Sequence, residues 1–210
     1  MKIKLLIVAL IVAAAGFLVY KHDHDQPIVA DALNKAQSAA DNAASDAANS
    51  ATSAAKAKAE AEAICATNKL DQNIIVSISK QHLWACEGAT SKYDSAVVTG
   101  MESYAADLTP VGTYHIYGKQ TDQTLTGSDA TGSWSDPVSY WEPFLYNKYG
   151  AYGFHDATWR ANSDFGNIDV NAPFTTTAKS GSHGCVELPL ATAKWIYDWS
   201  TIGTTVTIQS

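Results

Sequence analysis

The chain has 210 residues, with 14 basic against 21 acidic side chains for a formal charge of −7 and a pI near 5.2. That length suits one domain with additional sequence, and the acidic balance argues against a nucleic-acid-binding protein, which would show a basic patch or stripe. Three cysteines with no C-x-x-C pair argue against a disulfide-built mini-protein and against a four-ligand zinc site.

Lys2 and Lys4 precede an uncharged apolar run over residues 5–20, and Lys21 closes it. A charged start followed by an apolar stretch is an export segment, so residues 1–21 are predicted to form an N-terminal hydrophobic helix. Phe17 to Tyr20 continue the run beyond the small residues Ala13, Ala14 and Ala15, which favours a retained membrane anchor over a cleaved signal. Cleavage and secretion is the alternative. Residues 22–65 read as a spacer. His22-Asp23-His24-Asp25 has nothing to fix a metal-binding geometry and reads as solvated linker. Residues 30–63 hold 16 alanines in 34 positions and no Gly, Pro or aromatic. Alanine has the highest helix propensity, so this segment is predicted helical, with few large side chains to bury.

Of the 21 aromatic residues, only Phe17 and Tyr20 precede Trp84, so the core belongs to residues 66–210. The β-branched run 73–79, then 82–86 and 93–99, with turn residues between them, predict a β-meander. Residues 113–117 add a strand, and the Thr-, Ser-, Asp- and Gly-rich stretch 120–136 reads as a long loop of the kind that often serves function. Pro189-Leu190 opens a helix bearing Trp195 and Trp199 at four-residue spacing, with Gly203 as its stop. Residues 204–209 form a closing strand. The fold class is mainly β with one or two short helices.

The chemical signal lies in Ser182-His183-Gly184-Cys185. A thiol acts as a nucleophile only as thiolate, and its ordinary pKa near 8.5 calls for a base within hydrogen-bond reach, usually His. Gly181 and Gly184 flank a position where backbone can expose a side chain and aim amides at an oxyanion. His183 and Cys185, two apart, share a face on an extended strand. The other histidines of this region are His82, His115 and His155, of which His82 and His115 read as structural.

This segment resembles the catalytic signature of the L,D-transpeptidases (YkuD-type domain). IIVSISKQHLWACEG is similar to that family's opening hairpin, LTPVGTYHIY to its Thr-Pro-x-Gly-x-Tyr segment, GFHDATW to the strand bearing its upstream His, and GTTVTI to its last strand. The resemblance implies a β-sandwich catalytic domain and a peptidoglycan L,D-transpeptidase that forms 3→3 cross-links with release of D-Ala, without metal or organic cofactor. It assigns Cys185 as nucleophile, His155 as general base, His183 as a residue that shapes and polarises the pocket, the amides of Gly184 and Cys185 as oxyanion donors, and Ser182 as a loop-orienting residue. Tyr152, on the strand before His155, is a candidate substrate contact. The implied partners are peptidoglycan stem peptides, donor and acceptor, and the implied location is the bacterial cell envelope outside the cytoplasm, tethered to the membrane. An L,D-carboxypeptidase and a catalytically decayed peptidoglycan-binding module are the alternatives.

Two departures stand out. Glu187 occupies a position where that family usually has Asn or Arg, and residues 158–180 make a longer insertion than its usual spacing. The insertion carries Trp159 and Arg160, both candidate substrate-binding residues beside the cleft. Arg160 can clamp a stem-peptide carboxylate or form an ion pair within the protein. Cys65 and Cys86 are left as a candidate disulfide, permitted outside the cytoplasm; two unpaired thiols are the alternative.

Overall fold

The computed structural model describes residues 26–129, 132–172, 174 and 179–210. The apolar run 5–20 and the His22–Asp25 stretch lie outside the described residues, and with them the hydrophobic helix expected there. Among the described residues no helix is long and apolar enough to cross a membrane. The chain divides into two units, residues 1–57 and 58–210. In the first, the described residues belong to helix α1 (Gln26–Cys65), and residues 30–57 are exposed along their whole length. Alanine's propensity, rather than burial, sustains this helix.

The second unit takes in the last two turns of α1, because only there does the helix acquire a buried face. Ala61 and Cys65 pack with Ile75, Trp84 and Cys86. Cys65 and Cys86 are joined by a disulfide, with Cα atoms 5.5 Å apart.

Two sheets follow. The first contains β1 (Asn73–Ser77), β2 (His82–Glu87), β3 (Thr90–Ala96), β4 (Gly112–His115) and β9 (Thr205–Gln209), in the order β3-β2-β1-β9-β4. β1 is buried over all five residues, as a continuous β-branched run in a central strand should be; it pairs antiparallel with β2 and parallel with β9. The second sheet contains β5 (Gln120–Asp129), β6 (Gly132–Asn147), β7 (Gly150–Asp156) and β8 (Val186–Leu188), in that order. Ile74, Val76, Leu83, Val206 and Ile208 of one sheet and Phe144, Phe154, Val186 and Leu188 of the other belong to one buried core. Helix α2 (Leu190–Trp199) adds Ala193 and Ile196 to it. The architecture is mainly β, two sheets and few helices, as expected.

One expectation fails. Residues 120–129 and 132–136 are not loop but strand, in the β5–β6 ladder paired from Gln120↔Trp141 to Asp129↔Gly132. Along β5 and the first six residues of β6 the side chains are exposed or half-buried by turns, so no apolar face announces this part of the ladder. Pro143 sits in β6 at a register shift between Pro143 and Leu145, where a residue without an N–H is tolerated.

Candidate active site

β7 and β8 run parallel with His155 opposite Glu187. Side chains paired in register lie on the same face, as do residues two apart, so Cys185, just before β8, shares a face with Glu187 and His155. That topology brings a histidine thirty residues upstream onto the face that carries Cys185. Cys185, His155, His183, Ser182, Tyr152 and Glu187 all line one cavity of about 490 Å³. A larger depression of about 720 Å³, bordered by Leu70, Glu87 and Ile202, has neither Cys nor His in its wall and offers no nucleophile.

The loop that carries Cys185 is held by backbone pressed against backbone. Ser182 N–H donates to Thr99 O (2.9 Å), and Met101 N–H donates to Ser182 O (3.0 Å). A Cβ on Gly100 would lie 1.8 Å from Asp107 O and 2.8 Å from Gly184 Cα, so no other residue fits that crossing. Gly184 has φ +105°, and a Cβ there would lie 2.4 Å from Tyr152 Cε1; both conformation and space require glycine. Thr109 bridges the two segments: its Oγ1 accepts from Gly100 N–H and donates to Gly184 O, each at 2.8 Å. The sequence placed Thr109 in the Thr-Pro-x-Gly-x-Tyr segment but held no sign of this bridging role.

Ser182 Oγ donates to Cys185 O and accepts from Gly184 N–H at 3.1 Å. Of the two amides expected to meet an oxyanion, that of Gly184 is therefore already engaged within the loop. Cys185 is partly buried, and its Sγ lies 3.9 Å from Ala151 O. Burial pushes the thiol up to about 12, with the Glu187 carboxylate adding to the shift and a hydrogen bond from the Gly153 backbone opposing it. Cys185 at rest is a neutral thiol.

His155 is buried, and its Nδ1 lies 3.0 Å from Asp156 O. A carbonyl only accepts, so Nδ1 carries the proton and Nε2 is left as the basic nitrogen. The next residue fixes the strand: Asp156 Oδ1 accepts from the N–H groups of Ser139 (2.7 Å) and Tyr140 (2.9 Å) on β6. His183 lies flat against Trp134, ring centroids 3.9 Å apart and planes 1° apart. Its Nε2 is 3.9 Å from Asp129 Oδ2. Burial lowers the His183 pKa, opposed chiefly by Asp129. Trp134 and Asp129 both come from the β5–β6 hairpin, which sequence reading saw only as a polar stretch with a functional role. Asp107, in the cavity wall beside them, is raised to about 7 by burial and by the Asp129 carboxyl.

The remaining candidates separate. Tyr152 is buried in the wall, its hydroxyl donating to Ala106 O at 3.0 Å. Trp159 and Arg160 do not border the cavity; Trp159 packs behind it, 5.9 Å between its ring centroid and that of His155. The Arg160 side chain is fully buried, and its Nε donates to Glu187 Oε2. The carboxylate Arg160 holds is therefore the protein's own, which displaces the substrate-clamp reading. His82 pairs with Asp94 at 2.9 Å and His115 Nδ1 lies 3.3 Å from Gly203 O, both away from the cavity. Among the described residues no three His, Cys, Asp or Glu side chains cluster to hold a metal ion.

Comparison with known proteins places this arrangement. The chain is 22% identical over 125 residues to the Bacillus subtilis (strain 168) protein named "Putative L,D-transpeptidase YciB", a match covering 60% of this chain and 59% of that protein. It resembles the Ldtfm–avibactam carbamoyl enzyme with a TM-score of 0.54 and 26% identity, over 67% of this chain and 49% of that one. The catalytic domain of the E. faecium L,D-transpeptidase acylated by ertapenem aligns with a TM-score of 0.52 and 25% identity, over 66% of this chain and 96% of that domain. The family model of the L,D-transpeptidase catalytic domain (YkuD) matches residues 71–208. The chain belongs to the L,D-transpeptidase catalytic-domain family.

Proposed function

We propose that this protein is a membrane-tethered peptidoglycan L,D-transpeptidase that works through a cysteine acyl-enzyme. The observation that carries the reading is the meeting of Cys185, His155 and His183 in one cavity. The resting thiol is neutral, so His155 Nε2 takes its proton as Sγ attacks the carbonyl of the third residue of a donor tetrapeptide stem. The C–S bond forms, the amide C–N bond breaks, and D-Ala leaves with the proton held by His155. The thioester is then attacked by the side-chain amine of a neighbouring stem. That amine gives its proton to His155, the C–S bond breaks, and a 3→3 cross-link results with Cys185 restored as a thiol. His183, neutral and stacked on Trp134, shapes the pocket wall.

The export-type segment 1–21 and the disulfide at the end of α1 support a location outside the cytoplasm, where disulfides persist. The exposed helix over residues 30–57 suits a spacer between an anchor and the catalytic unit.

Incubation with a disaccharide-tetrapeptide, followed by mass analysis of products, tests the reading. A cross-linked dimer with equimolar D-Ala, absent with Cys185→Ala, is expected. Trimmed tripeptide alone would transfer the assignment to L,D-carboxypeptidase, and no product from folded protein would reduce the domain to a binding module.

A further inference from the structure

Glu187 lies two residues beyond Cys185, lines the catalytic cavity and stands opposite His155 in the β7–β8 ladder. It is buried, and its backbone is locked to Val98 in both directions, at 2.8 and 3.0 Å. A bare carboxylate at this place would oppose ionisation of the neighbouring thiol, because two negative charges in a desolvated wall repel strongly. The chain sets a cation against it from outside the motif. Arg160, in the insertion after β7, has a side chain with no exposure, and its Nε donates to Glu187 Oε2. Arg160 Nη1 and Nη2 are buried with no hydrogen-bond partner among the described residues, so among those residues the side chain's hydrogen bonding goes to Glu187, while its charge also reaches Asp164 and His183.

We propose that Arg160 is a positioning residue that acts on Cys185 through Glu187: it neutralises the carboxylate beside the nucleophile and fixes the cavity wall at which His155 sits. The inference rests on Cys185 being the nucleophile. It makes Arg160, near the start of the insertion, part of the catalytic unit and joins it to the departure at position 187 as two halves of one device. The same carboxylate raises both Cys185 and His183, while Arg160 opposes it at His183.

The test is the rate at which iodoacetamide alkylates Cys185 at pH 8.5, read by intact mass, with glutathione as the control for reagent chemistry. At a pH below the thiol pKa the rate follows the thiolate fraction. Arg160→Met should slow alkylation about tenfold, one pK unit of thiol ionisation. Arg160→Lys should recover most of that loss by restoring the charge. The double variant Arg160→Met with Glu187→Met should return to within about threefold of the parent, since a neutral apolar pair often replaces a buried ion pair without loss of folding. A purely structural role would lower the melting temperature of Arg160→Met and leave its alkylation rate in place, and that result overturns the proposal. If Arg160→Met does not fold, Glu187→Gln carries the test: faster alkylation is expected, and an equal or slower rate overturns the proposal. Donor-peptide turnover is measured in parallel on the parent protein. Turnover with no electrostatic cycle defeats this inference alone, and an intact cycle without turnover defeats the functional reading alone.

Discussion

Replacing Thr109 by Val keeps the side chain's shape and removes its hydroxyl, which makes it a clean probe of the loop that carries Cys185. The hydroxyl is buried and serves two partners at 2.8 Å, the N–H of Gly100 and the carbonyl of Gly184. A buried polar group left unsatisfied costs about 1–3 kcal/mol. Two such groups give about 2–6 kcal/mol, offset by about 1 kcal/mol for burying a methyl in place of the hydroxyl, so a loss of about 3 kcal/mol is expected. A domain the size of the unit spanning residues 58–210 loses about 2–4 °C of melting temperature per kcal/mol. Thr109→Val should therefore melt roughly 6–12 °C below the parent by differential scanning calorimetry. Thr109→Ser keeps both bonds, loses only a methyl, and should cost about 1 kcal/mol. Freed of its anchor, the Gly184 peptide no longer holds the Cys185 amide in place, so acylation of Cys185 should slow about tenfold, about 1.4 kcal/mol of barrier. Thr109→Val melting together with Thr109→Ser would show that Oγ1 does not hold this crossing.

The disulfide closes a sequence separation of 21 between two fully buried sulfurs, for which chain entropy predicts about 3 kcal/mol. Urea unfolding with and without reductant should show that difference while the alkylation rate of Cys185 stays constant; a change below about 1 kcal/mol would contradict the entropic estimate. Asp107 titrates near 7 in the folded chain against an ordinary 3.8. Between those values the folded state holds a proton that the unfolded state has released, so stability falls as pH rises from about 4 through about 7 and levels off above. Asp107→Asn removes that slope and should be the more stable protein at pH 8 by urea denaturation, with the advantage gone at pH 4; an advantage equal at both would refute the assignment.

What could be read from sequence was whatever lay contiguous or obeyed a period. β1 showed itself as an unbroken β-branched run, α2 through Pro189 and its tryptophans, and Cys185 with His183 through four adjacent residues. His155 was placed by resemblance alone, and its physical reason, the parallel β7–β8 pairing, belongs to topology. β5 and the start of β6 stayed hidden because their residues are exposed or half-buried by turns rather than apolar and polar. With them were hidden Trp134 and Asp129, which meet His183 only once the hairpin folds back. Thr109 shows the same limit: it stood in the Thr-Pro-x-Gly-x-Tyr segment, but a hydroxyl that bridges residues 100 and 184 leaves no pattern from which that role could be read. Arg160 was legible as a cation near the cleft, but only burial decides between substrate clamp and internal ion pair.

The central claim is that Cys185 becomes an acyl carrier with His155 as its proton acceptor. Intact-mass spectrometry of protein quenched during incubation with donor tetrapeptide tests it directly. A tripeptidyl adduct on Cys185, formed one for one with released D-Ala and lost in Cys185→Ala and His155→Gln, is the expected result. A folded parent protein that carries no adduct, or an adduct that persists in Cys185→Ala, would contradict it.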